Sequence, residues 1–307
     1  MRLKLSTVLV GVLGLAAVSV FAAPAAQAAP ATTTSTATVA DRLVFEPTER
    51  GYRGSLQVEL TYHGSEPAWP SYVITEPVPG SYVNAEWGIN CSSGGDRLPD
   101  GRTTVECVVP GGLWQPGERR TFSVDFQVLT TVRPYAMKAG NGHLAVKVGD
   151  TTVEEADFST RFRSSTGSLA NPQPYVRDTQ PDFTLSVAGD LTVTRQPDGW
   201  FEGSLPVTLR YNSDAPHPFV WLVPAGLPAG FGEPWTDECG HLCPPGGAFM
   251  EGEERTFALN FSASSEAALG DLGRATIEVR TDYYTPLADS DPSDNVAGFT
   301  VTAVDAA

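Results

Sequence analysis

The stretch Gly54-Ser55-Leu56-Gln57-Val58-Glu59-Leu60-Thr61-Tyr62 decides the fold. Leu56, Val58, Leu60 and Tyr62 alternate with Ser55, Gln57, Glu59 and Thr61, and a period of two puts the apolar set on one face of a β-strand. The stretch returns as Gly203-Ser204-Leu205-Pro206-Val207-Thr208-Leu209-Arg210-Tyr211, with Leu205, Val207, Leu209 and Tyr211 in the apolar positions. A strand with one apolar face must cover it with a second sheet. The motif therefore predicts a two-layered β unit, present twice.

Working outward, the duplication extends along the chain. Trp87 stands four residues before Cys91, and Trp235 four before Cys239. Gly117-Glu118-Arg119-Arg120-Thr121-Phe122 is answered by Gly252-Glu253-Glu254-Arg255-Thr256-Phe257. The offset between copies falls from 148 at the first cysteines to 135 at the Gly-Glu segments, so the second copy has lost residues between its cysteines. Phe122/Val124/Phe126 and Phe257/Leu259/Phe261 predict a second pair of half-buried strands. Leu144/Val146/Val148 and Ile277/Val279 predict a third, and Phe158 and Phe299 mark the closing strands. Short alternating strands spaced by Gly and Pro turns read as immunoglobulin-like sandwiches.

Composition agrees. The 307 residues suit two domains, and 30 Gly and 25 Pro favour turns over long helices. The net charge is −16. An acidic surface of this kind repels phosphate backbones, which argues against a nucleic-acid partner. Arg far outnumbers Lys, a bias that suggests a GC-rich, actinobacterial source.

Arg2 and Lys4 precede an apolar run over 8–22, followed by Ala26-Gln27-Ala28. These are the basic, apolar and small-residue parts of a secretory signal peptide, with cleavage expected after Ala28. The apolar run is short for a permanent span, so no stable membrane insertion is expected after cleavage. The expected plan is a signal peptide over 1–28, a flexible tether over 29–33, a first sandwich over 34–163, a Pro/Ser-rich linker over 164–181 and a second sandwich over 182–304. The fold class is thus all-β, with two tandem immunoglobulin-like β-sandwich domains after a signal peptide.

The run Asp289-Ser290-Asp291-Pro292-Ser293-Asp294-Asn295-Val296-Ala297, leading into a last strand, resembles the acidic approach to the final strand in CARDB-like and related conserved-repeat domains of prokaryotic cell-surface and secreted proteins. That resemblance implies an extracellular, adhesion-type module and supplies no catalytic residues. The first copy departs from it, since 149–155 has no comparable run.

Four cysteines in an exported chain imply two disulfides, for which three pairings exist. The repeat selects Cys91 with Cys107 and Cys239 with Cys243. His241 lies between the second two, but structural zinc wants four ligands and no fourth is nearby. His63 and His217 fall in turns and read as solvated. No catalytic motif is present, and no enzyme activity or cofactor is expected. Asp289, Asp291 and Asp294 are candidate calcium ligands, although a solvated acidic turn is the stronger reading. Glu251, Glu253 and Glu254 read the same way. Trp87 and Trp235 are expected to pack on the disulfides. Trp69 and Trp221, in Pro-rich segments after the repeated strand, are the candidate ligand-contacting aromatics.

These readings predict a secreted, non-catalytic binding, adhesion or spacer protein, its partner an unknown protein or glycan at the cell surface. The alternative is a carbohydrate- or cell-wall-binding protein using exposed aromatics. A secreted hydrolase would need a convergent set of acids and bases that the sequence does not display.

Overall fold

The computed structural model describes residues 34–83, 91, 96–217, 219–238, 242–282 and 286–306. The expected signal peptide and tether, Trp87, Cys239 and His241 lie outside the described residues.

The repeated motif forms the strands Gly51–Thr61 and Phe201–Tyr211. Leu56, Val58, Leu60 and Tyr62 are buried, as are Leu205, Val207, Leu209 and Tyr211. Each strand pairs antiparallel along its length with the second expected strand, Arg119–Val128 or Glu254–Ala263. The registers match residue for residue: Leu56 faces Val124, and Leu205 faces Leu259. Thr36–Val39 and Phe183–Val187 complete this first layer in the two halves.

The opposing layer of the first sandwich runs Thr103–Val108, Pro70–Thr75, Gly142–Val148, Thr151–Phe162. That of the second runs Phe219–Ala225, Gly270–Asp282, Val296–Val304. Apolar faces of the two layers meet in two separate cores, one centred on Leu56, Phe126 and Phe158, the other on Leu205, Phe261 and Phe299. Burial of these side chains is the main favourable term for such a sandwich.

One strand in each half belongs to both layers. Arg42–Thr48 runs parallel to Thr151–Phe162 through Phe45, then pairs antiparallel with Gly51–Thr61 from Glu46 onward. Leu191–Arg195 repeats the switch against Val296–Val304 and Phe201–Tyr211. The switching strand presses on the glycine that opens the repeated motif. A Cβ on Gly54 would sit 2.9 Å from the Val44 carbonyl oxygen, and one on Gly203 would sit 2.3 Å from that of Thr192. Close backbone approach is why both copies begin with Gly. The tyrosine ending the motif also has one task in both copies. Its hydroxyl donates to the carbonyl four residues on, Tyr62 to Glu66 and Tyr211 to Ala215.

The copies differ at one edge. In the first, Thr103–Val108 lies outside Pro70–Thr75, with Cys107 opposite Tyr72. The described residues of the second hold no such strand, and the Leu222 N–H is met instead by the Leu242 carbonyl at 2.8 Å.

The segment 164–181 is laid down on the first sandwich. Gln173–Pro174 pairs with Met137–Lys138, and the Tyr175 ring packs 4.9 Å from that of Phe162. From there it enters the second half. Tyr175 Oη donates to Asp214 Oδ2 at 2.6 Å, while buried Arg177 donates to the Asp214 and Pro79 carbonyls. Glu251, expected as a solvated acid, instead accepts from Thr130 Oγ1 at 2.7 Å, Thr131 N at 2.8 Å and Arg133 Nη2 at 2.8 Å. Glu253 pairs with Arg50 at 3.3 Å. These acids join the two halves because carboxylates can satisfy several donors at a partly dry contact.

Candidate functional site: an aromatic ledge on the strand Phe219–Ala225

Trp69 and Trp221 are both exposed, at 58% and 42%. Their structural positions are not equivalent. Phe158 opposite Gly142 matches Phe299 opposite Ala275, which aligns the neighbouring strands. On that alignment Ile74 and Tyr72 correspond to Pro224 and Leu222, facing Leu144 and Val146 in one half and Ile277 and Val279 in the other. Trp69 is thus the counterpart of Phe219, and Ser71 that of Trp221.

Phe219 is the residue the sequence reading missed. It is 51% exposed, and its ring lies nearly parallel to that of Trp221, with centroids 6.0 Å apart and planes inclined by 17°. Residues two apart on a strand share a face, so the pair projects from the sheet together. The signal was ambiguous because Phe219-Val220-Trp221-Leu222-Val223 is apolar at every position. Only burial of Val220 and Leu222 assigns the exposed parity.

The described residues of the second half hold no strand equivalent to Thr103–Val108 beside this ledge. In the first sandwich, Ser71 Oγ donates to Glu106 of the covering strand at 2.9 Å. In the second, a groove of about 230 Å³ lies between Phe219 and Trp221 on one side and Glu238 with Pro244, Pro245 and Gly246 on the other. The far wall is held in place. Arg255 donates to the carbonyls of Pro245, Gly247 and Ala248, and stacks 3.9 Å over the Phe249 ring. The Gly246 N–H donates to Glu238 Oε2 at 2.9 Å, and Cys243 is disulfide-bonded.

On the other flank, Asp282, Arg280 and Glu278 stand opposite Phe219, Trp221 and Val223. Arg280 donates to both Glu278 carboxylate oxygens, at 3.0 and 2.8 Å, and this holds the Glu278 pKa below the usual carboxylate range. The site therefore presents two aromatic rings bordered by fixed charged groups.

The other candidates go elsewhere. Asp289 accepts from the Phe183 and Asp291 N–H groups, Asp291 caps a short 3₁₀ turn through the Ser293 N–H, and Asp294 accepts from Thr184 Oγ1. Each acid of the calcium candidate set thus ties the turn to itself or to Phe183–Val187. Among the described residues no group of three or more His, Cys, Asp or Glu side chains could hold a metal ion. Cys91 and Cys107 are joined by a disulfide. Among the described residues, Tyr82 stands beside it, its hydroxyl 3.3 and 3.0 Å from the two sulfurs. Trp235 is partly buried and bridges to Asn260.

His217 corrects the solvated reading. It is only 5% exposed, enclosed by Phe183, Tyr211 and Phe249. Nε2 accepts from the Phe249 N–H at 2.9 Å, so Nδ1 carries the proton and donates to the Ala215 carbonyl at 3.0 Å. Burial pushes its pKa down to about 4. Pro218 beside it in sequence suggested a turn, but the His217 side chain is packed inward.

No family model matches the chain, and no curated protein matches it. The solved structures to which the chain is similar include CARDB and bacterial adhesin domains. A CARDB domain from Pyrococcus furiosus, solved in complex with di-metal ions, is 16% identical with a TM-score of 0.26, covering 42% of this chain and 94% of its own. The sialic acid binding region of a Streptococcus sanguinis adhesin is 13% identical with a TM-score of 0.25, covering 90% and 78%. A tip adhesin from Pseudomonas aeruginosa is 11% identical with a TM-score of 0.27, covering 89% and 99%. They lend no support to an actinobacterial source. Among the described residues, no helix is long and apolar enough to cross a membrane.

Proposed function

We propose that this is a secreted, non-catalytic binding protein of adhesion type, whose second sandwich contacts its partner through Phe219 and Trp221. The carrying observation is the exposed, nearly parallel aromatic pair on an edge strand whose covering strand is absent from the described residues. Exposed aromatics cost solvation energy, and a rigid aromatic pair beside a pinned loop needs little ordering on binding. The proposed chain is exported by its leader, cleaved after Ala28, and folds as sandwiches over 34–163 and 182–304. Mass spectrometry of the secreted protein should find an N-terminus at Ala29.

The functional test is adsorption of the mature protein to intact bacterial or host cells. Phe219→Ala/Trp221→Ala should abolish adsorption while leaving the unfolding transition in place, since both side chains are half exposed. Undiminished adsorption would remove the ledge from the function. A spacer role is the second reading, favoured by the contacts of Arg177 and Glu251 that fix one half to the other.

A further inference from the structure

We propose that the ledge and its groove take a neutral pyranose glycan, an inference that rests on the ledge being the binding face. The two flat, nearly parallel rings offer successive apolar platforms along the strand. A pyranose ring has an apolar C–H face and a rim of hydroxyls, so it can lie on such a ring while its rim stays hydrogen-bonded. Groups for that rim stand on both sides: Glu238 across the groove, and Asp282, Arg280 and Glu278 on the neighbouring strand.

Two other ligand classes fit poorly. A peptide adding as a further strand needs alternate N–H donors along the free edge. The Leu222 N–H, which points to that edge, is already bonded to Leu242, and Pro224, two residues on, has none. A polyanionic chain would meet three carboxylates and one guanidinium that is itself engaged by Glu278, on a protein of charge −16. A neutral glycan avoids both conflicts, and the carboxylates become acceptors for its hydroxyls.

The test titrates the mature protein, by calorimetry and tryptophan fluorescence, with three neutral hexasaccharides (β-1,4-glucan, α-1,4-glucan and β-1,4-N-acetylglucosamine) and with an oligogalacturonate. At least one neutral hexasaccharide should bind, with an affinity insensitive to added salt. Trp221→Ala and Phe219→Ala should each weaken it about tenfold, the loss expected for one aromatic stacking contact. Trp200→Ala, on an exposed tryptophan in another hairpin, should leave it unchanged. Salt-sensitive binding of the oligogalacturonate alone would overturn the neutral class. If no neutral hexasaccharide binds while Trp221→Ala still abolishes cell adsorption, the glycan inference fails and the ledge survives. If the ledge variants alter neither readout, both fail.

Discussion

Gly80 lies so close to Pro216 that a Cβ on the glycine would stand 2.3 Å from the Cβ of the proline. The two residues belong to different sandwiches, so their contact is part of what joins the halves. Gly80 also has φ +64°, a conformation L side chains rarely adopt.

Gly80→Ala should therefore cost more than backbone strain alone. Gly117 supplies the control, with φ +80° and nothing within 4 Å of an added Cβ. Gly117→Ala should show only the strain of a positive φ, about 1–2 kcal/mol. Gly80→Ala should lose roughly a further 1 kcal/mol or more from the forced separation. Urea denaturation of the two variants gives the difference, and equal losses would mean the junction yields freely.

The junction also has an electrostatic component. Glu251→Ala leaves Thr130, Thr131 and Arg133 without their acceptor and should cost roughly 1–3 kcal/mol. Because the two cores are separate, weakening the junction should uncouple them. Calorimetry should show one unfolding transition in the wild type and two in the variant Arg177→Ala/Glu251→Ala. A single transition in both would assign the coupling to other contacts.

His217 predicts an acid limb. Its pKa, about 4 in the folded protein against an ordinary value of 6.5, means that the unfolded chain binds a proton the folded one refuses between those values. Stability should then rise with pH across that window and fall as pH drops through it. The shift bounds the loss at roughly 3 kcal/mol. His217→Gln should flatten this limb in denaturation curves taken between neutral pH and about pH 4, and an unchanged slope would assign the limb to carboxylates.

The disulfide joining Cys91 and Cys107 spans a sequence separation of 16. Replacing both by Ala should lower stability by roughly 3 kcal/mol, on the chain-entropy account of loop closure. The Tyr82 and Tyr72 hydroxyls lie 3.1 Å apart beside the sulfurs, so reduction should change the near-ultraviolet tyrosine dichroism. The shorter loop between Cys239 and Cys243 should contribute less, and peptide mapping without reductant would expose any crosslink between halves.

The sequence by itself determined the strand faces and the duplication. Period-two alternation is a local property, and Leu56 and Leu205 could be placed in the core because their polar neighbours on the strand fix which face is dry. The repeat likewise located the second copy's deletion. The aromatic ledge was decided only in three dimensions. Phe219 and Trp221 stand beside a groove, yet an all-apolar strand gives no parity by which to choose its exposed face. His217 and Glu251 were misread for a related reason. A polar residue in a Pro-rich or acidic turn is solvated unless something packs on that turn, and here buried rings enclose one while the other sandwich covers the other. Burial of such groups depends on contacts distant in sequence, and periodicity carries no record of them.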